Sequence, residues 1–203
     1  MVAAVPAAPT RGIANDTLWQ VRRLFTVDDY YRMGEAGLIG ADEHTELLDG
    51  EVVFQMPINS RHAGCVKVLN QLLMSRLLGR AIIGVQDPVR LGDYSEPQPD
   101  LSVLALREDG YRLAHPEPGD VALLIEVSDT SLDLDRRVKV PLYAAAGIAE
   151  VWVVDLVNDS VEVYREPDRH GYRQIQRYGR GQVLTPSAFP DIQIPVDDIL
   201  GPA

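Results

Sequence analysis

Apolar residues fall mostly into short runs divided by turn residues, and two stretches near the start have helical character. Val66, Leu69, Leu73 and Leu77 recur at helical spacing, which predicts an amphipathic helix over 61–78 capped by Asn59 or Ser60. An earlier helix starts at Thr26, whose hydroxyl suits an N-cap. Asp28 and Asp29 follow where the helix dipole favours negative charge, and Gly37 ends it. Between them, Thr45–Leu48 and Glu51–Phe54 flank Asp49-Gly50, a dipeptide that tolerates the positive φ angles of a tight turn. Residues 45–56 therefore form a β-hairpin. Strand alternation puts Glu46 and Leu48 on one face and Leu47 on the other, and the neighbours do not decide which face is buried.

The middle of the chain reads as strands. Short ones are predicted over 81–85 and 89–91, interrupted by Asp87-Pro88 as at a sheet edge or bulge. Apolar runs occupy Leu101–Leu106 and Val121–Val127, joined by a turn-rich surface connection over 107–119, and another short apolar strand is Glu150–Asp155. Asp135, Lys139, Tyr143 and Gly147 recur every four residues and so stack on one helix face. Pro141 removes an amide donor there, so that helix must kink or start late. After Asn158 the chain alternates, Val161–Tyr164 then Tyr172–Tyr178, as an antiparallel meander. One more strand near Ile192–Ile194 and a helical turn over 196–200 close it. Helices and strands interleaved in this way place the chain in the α/β (α+β) class.

With 203 residues, 46% of them hydrophobic, the chain suffices for one domain over 21–203, after a flexible N-terminal tail over 1–20. The first ten residues are rich in Ala and Pro, with no basic flank or apolar centre, so they read as neither signal peptide nor anchor. No later run approaches the roughly 18 apolar residues of a membrane span, and a cytoplasmic protein is expected. One cysteine, Cys65, excludes an internal disulfide and reads as a small buried hydrophobe. The net charge of −11 weighs against a general nucleic-acid surface, because phosphates are repelled unless basic side chains gather in one patch.

Candidate chemistry starts from Glu126. An ionised carboxylate inside Val121–Val127 costs several kcal/mol unless a cation receives it. Lys139 on the following helix is one such cation. Asp100 brings a second carboxylate, at the mouth of the strand that Gln98-Pro99 introduces. Two acids and a lysine are the usual means of holding a divalent ion and hydrolysing a phosphodiester. In that reading Asp100, Glu126 and the Val127 carbonyl ligate Mg²⁺, Lys139 positions water or stabilises developing charge, and Glu46 adds a ligand or a base. Arg76, Arg80, Arg90, Arg136 and Arg137 would surround the cleft and hold phosphate. Taken singly, each residue also has a bland reading: an acid capping a strand, a lysine paired along a helix, Tyr143 as a core aromatic, His62 as an exposed residue in a first helical turn. Asp155 ends an apolar strand as well, and the sequence gives no reason for it to be inert.

Several ordered segments agree with one family. Glu46-Leu47-Leu48-Asp49-Gly50-Glu51, His62, Pro99-Asp100-Leu101-Ser102-Val103, Ile125-Glu126-Val127-Ser128, then Asp135, Lys139, Tyr143, Gly147 and Val151–Asp155 closely resemble the Uma-type putative restriction endonucleases of the PD-(D/E)XK superfamily. The resemblance runs over roughly residues 25 to 200. It implies a restriction-endonuclease-like fold, a mixed central β-sheet flanked by helices, with Asp100 and Glu126 as metal ligands. The superfamily lysine belongs two residues after Glu126, where this chain has Ser128, so Lys139 stands as its replacement. Glu46 and His62 match family positions. The expectation is a Mg²⁺-dependent endonuclease acting on DNA, with Mn²⁺ as a substitute ion. Asp100, Glu126, Lys139 and Glu46 are its catalytic set, and His62, Gln98, Ser128 and Tyr143 its substrate contacts. A homodimer is expected from the prevalence of two-fold assemblies. Two rivals remain: a non-catalytic nucleic-acid or protein interaction module on the same fold, and a metal-free hydrolase using the two acids as an acid–base pair.

Overall fold

The computed structural model describes residues 23–40 and 42–202. The expected tail over 1–20 lies outside the described residues. Helix α1 (Val27–Glu35) opens with a reciprocal cap in which Thr26 and Asp29 each accept the other's backbone N–H. It ends at Gly37, whose φ of +70° lets the Gly37 and Leu38 amides reach back to the Gly34 and Met33 carbonyls. Strands β1 (Thr45–Leu48) and β2 (Glu51–Phe54) pair antiparallel. Asp49 and Gly50 both have positive φ, +50° and +79°, as their two-residue turn requires. Helix α2 (Ser60–Leu77) is capped by Asn59, which accepts the His62 N–H at 3.0 Å.

Among the described residues the centre is a six-stranded sheet. It comprises β3 (Ile82–Val85), β4 (Leu101–Leu104), β5 (Val121–Ser128), β6 (Glu150–Asp155), β7 (Ser160–Asp168) and β8 (Gly171–Gly179), in that spatial order. Only β5 and β6 run parallel, so the sheet is mixed. The expected meander is β7 and β8, and it extends this sheet through β6 instead of standing apart. Residues 89–91 are not a strand. Val89, Arg90 and Leu91 donate to the Pro97, Pro116 and Ser95 carbonyls, three different loop positions with no ladder among them. A short pair, β9 (Val183–Leu184) with β10 (Ile194–Pro195), precedes α5 (Val196–Leu200).

Alternation along β5 divides the core. Leu123, Ile125 and Val127 pack with Leu69, Leu73 and Leu77 of α2 and with Trp152 on one face of the sheet. Leu124 faces the other way, onto a second cluster containing Tyr143, Val140 and Ile148. Each fully buried leucine contributes roughly 1.5–3 kcal/mol by leaving water. Glu126 shares the parity of Leu124. Strand β5 thus commits its one carboxylate to the Tyr143 side.

The crossover from β5 to β6 carries the predicted helix in altered form. A turn, α3 (Leu132–Leu134), leads into a π-helical segment, Asp135–Lys139, in which the Val140 amide reaches the Asp135 carbonyl. The α-helix proper, α4 (Val140–Ala145), starts only there, with Pro141 in its first turn, where its missing amide costs nothing. The late start anticipated from Pro141 is present. Gly147, at φ +82°, closes α4: its amide and that of Ile148 bond the Ala144 and Tyr143 carbonyls. Gly147 therefore serves the helix end.

Candidate active site

Glu46 is positioned by the hairpin. The Leu47 carbonyl takes the Glu96 amide and the Gly50 amide reaches the Tyr94 carbonyl, which sews the hairpin to the segment leading to Asp100. Both faces of β1 are buried as a result. The face that alternation left open for Glu46 turns toward the sheet's carboxylates. Its Oε2 accepts the Gln98 N–H at 3.0 Å and meets Lys139 Nζ at 3.1 Å.

Asp100 stands one residue ahead of β4. Its Oδ2 accepts the Val127 N–H at 2.8 Å and lies 3.0 Å from His62 Nε2, while Oδ1 accepts from Gln86 at 3.2 Å. Val127 meets Asp100 through this amide, while its side chain packs in the core. His62 points inward from the first turn of α2 to Asp100, and the hydrogen bond to that carboxylate raises the imidazole pKa against the opposing effect of burial. Glu126 is 2% exposed. Its Oε1 accepts the Tyr143 hydroxyl at 2.5 Å and faces Lys139 Nζ at 3.4 Å. Oε2 has no hydrogen bond recorded among the described residues, and Glu126 lines the adjoining cavity. Asp135, at the start of the π-helical segment, accepts from Ser128 and Ser131 at 2.7 Å each.

One ammonium is therefore shared by two buried carboxylates. Burial raises the Glu126 pKa well above the ordinary value, and the nearby charges of Asp135 and Asp100 add to this, overcoming Lys139 and the Tyr143 hydrogen bond. Burial likewise raises Asp135. For Lys139 burial acts downward, but Glu126, Glu46 and Asp135 outweigh it and raise its pKa. The shifts favour the charged form of Lys139 and the protonated forms of Glu126 and Asp135. A further cation at Glu126 would relieve the same strain.

These groups border a cavity of about 240 Å³. Glu46, His62, Gln98, Asp100, Glu126 and Lys139 all line it. Ser128 and Tyr143, expected to contact substrate, do not. Both are fully buried, Ser128 against Asp135 and Tyr143 against Glu126, so they act on the acids. The arginines expected around the cleft are engaged elsewhere. Arg76 pairs with Asp198, Arg80 with Asp191, Arg90 with Asp28 and Asp93, Arg136 with Asp155 and Glu162, and Arg137 with Asp133. None lines the cavity. Asp155 differs from Glu126 for a visible reason. Burial raises its pKa, but hydrogen bonds from Asn158 and the Arg136 guanidinium prevail and lower it.

The donor set suits a hard divalent ion. Asp100 and Glu126 supply carboxylate oxygens to one cavity, and Mg²⁺ requires only one or two carboxylates with water completing its shell. Among the described residues no group of three or more His, Cys, Asp or Glu side chains is placed to hold a metal ion. Three contributors were not singled out from the sequence as site residues: Gln86 on Asp100, Ser131 on Asp135, and Asp129 on the cavity wall. Gln86 carried a faint signal in preceding Asp87-Pro88, and in the structure it adopts a φ of +55°. An apolar rim of Phe54, Met56 and Ile58 was also not foreseen.

Comparison with known proteins gives a family and a fold. The model of a family described as Uma2, putative restriction endonuclease, matches residues 27–197. A solved structure of a putative nuclease belonging to DUF820, from Anabaena variabilis ATCC 29413, is similar over 87% of this chain and 97% of its own. Its TM-score is 0.60 at 17% identity, a likeness of fold. No curated protein matches the chain.

Proposed function

Since the chain belongs to the Uma2 family of putative restriction endonucleases, we propose that its cavity hydrolyses nucleic-acid phosphodiesters, DNA in the first instance, with a divalent ion, Mg²⁺ or Mn²⁺, on Asp100 and Glu126. The observation that carries the reading is the convergence of Asp100, Glu126 and Lys139 on one cavity from three separate segments. The ion supplies Lewis-acid polarisation of the phosphate. The Val127 amide and His62 fix the Asp100 carboxylate, and Tyr143 fixes that of Glu126. Lys139 presents an ammonium to the incoming water and to charge developing on the phosphoryl oxygens. Glu46 and the Gln98 amide hold that ammonium in register. Hydrolysis adds the water oxygen to phosphorus and breaks one P–O ester bond, and the water's proton ends on the departing oxygen.

The test uses supercoiled and single-stranded DNA with Mg²⁺ or Mn²⁺. Wild type should cleave, chelator should stop it, and Glu126→Gln should lose both cleavage and calorimetrically measured Mn²⁺ binding while remaining folded, because the substitution removes a buried charge. Unaltered Mn²⁺ affinity in Glu126→Gln, or cleavage persisting in chelator, would refute the assignment. One observation favours a second reading, a binding module on the same fold: the ammonium of Lys139 already neutralises Glu46 and Glu126 in part. In that case saturating Mn²⁺ finds no site and no DNA is cut.

A further inference from the structure

The hairpin ends in an apolar segment that the core does not use. Phe54 is 64% exposed, Met56 78% and Ile58 52%. Isolated exposed apolar side chains need no explanation, but these three stand within five residues and line the same cavity as Asp100, Glu126 and Lys139. They and the carboxylates share one wall-lined space. The rest of the wall mixes neutral polar side chains with the acids Asp129 and Asp135 beside Asp100 and Glu126, and no arginine lines it. A continuous duplex buries its bases and offers phosphate on both flanks, which suits neither surface. An unpaired strand offers flat apolar faces that stack on aromatic and thioether side chains whatever the base. At about 240 Å³ the cavity is also smaller than the roughly 300–1,000 Å³ of pockets that enclose a drug-sized ligand.

We propose that Phe54, Met56 and Ile58 form a base-stacking lip, so that the site takes single-stranded nucleic acid or unpaired ends in preference to continuous duplex. The proposal rests on the nuclease reading for the choice of polymer and adds the strand state that the site accepts. The lip residues act by holding a base while the neighbouring phosphate meets the carboxylates.

Fluorescence anisotropy with full-length protein in Ca²⁺ compares three probes: a labelled single-stranded oligonucleotide, the same strand annealed to its complement, and an abasic strand with the same number of phosphates. The single strand should bind about 10-fold more tightly than either of the others, and Phe54→Ala should weaken it by about 5-fold or more, the scale of one lost stacking contact. Phe54→Tyr should retain affinity. Because Phe54 is mostly solvent-exposed, the alanine variant should melt like wild type, and its melting curve is recorded alongside. Equal binding of duplex or abasic strand, an unaffected Phe54→Ala variant, or no binding of any probe would overturn the lip. Cleavage in Mg²⁺ separates the two readings. Protein that binds single strands through Phe54 but never cuts keeps the lip and loses the nuclease. Protein that cuts duplex and single strand alike, with Phe54→Ala unimpaired, keeps the nuclease and loses the lip.

Discussion

Replacing Lys139 by methionine tests the electrostatics at the centre of the cavity. The ammonium lies 3.1 Å from Glu46 and 3.4 Å from Glu126, and all three side chains are nearly inaccessible to water. At an effective dielectric constant of about 20, each contact is worth about 5 kcal/mol of gross attraction. Burying the ammonium costs several kcal/mol in return. Methionine keeps the length and apolar character of the stem, so the net effect at neutral pH should be a loss of about 3–5 kcal/mol, as for other buried pairs stripped of one partner. The pH dependence follows from the directions of the shifts. The folded-state pKa of Lys139 is raised, so the stability it contributes is fully present below its unfolded value of about 10.4 and disappears only as pH rises through the folded value. The wild-type lysine is therefore charged throughout pH 5–9. Glu126 is also raised, so the cost of its charge is absent below its unfolded value of about 4.3 and grows as pH climbs through the folded one. Without the ammonium, Glu126 escapes by taking a proton. Urea unfolding in chelator should therefore give a difference between Lys139→Met and wild type that is smallest at the acid end and grows as pH rises. Glu126→Gln in the Lys139→Met background should recover part of the loss at pH 8. A difference below about 1 kcal/mol at pH 8, or one independent of pH, would refute the shared-cation account.

Two further substitutions probe the scaffold. Asp155→Asn should cost about 1.5–3 kcal/mol at pH 7, the worth of a charge-assisted bond to Arg136, while leaving Mn²⁺ affinity unchanged. The Asp155 pKa is lowered, so its contribution is present above its unfolded value near 3.9 and is lost as pH falls through the folded one. Equal stability of the two proteins at pH 7 would count against this. Gly50→Ala should destabilise by about 1–3 kcal/mol in a thermal or urea melt, because the residue has φ +79° and a Cβ would come 2.6 Å from that of Leu24. An unchanged midpoint would show that the hairpin adapts.

Local rules explain what the sequence made legible. Asp49-Gly50 announces its turn because few residue pairs accept two positive φ angles. Pro141 announces a late helix start because it lacks an amide. Glu126 stands out because an acid in an apolar strand needs a partner, and Lys139 and Tyr143 are found at it. What stayed hidden depends on pairing across distant segments. Val89–Leu91 has strand composition, yet its amides are claimed by loop carbonyls and no neighbouring strand reaches them. Asp155 resembles Glu126 in sequence, and only the arrival of Arg136 and Asn158 separates an anchored acid from a strained one. The arginines seemed available for phosphate because sequence does not show which acids will claim them. His62 looked like a surface residue until α2 packed its first turn over Asp100.

The crossover that delivers Lys139 also sets a timetable. The hairpin carrying Glu46 is made early in synthesis, yet its ammonium partner follows 46, 100 and 126 in the chain and docks on a sheet whose parallel neighbour, β6, is translated later still. A nascent chain leaving the ribosome therefore cannot close the Glu46–Lys139–Glu126 cluster onto a finished sheet until β6 has emerged.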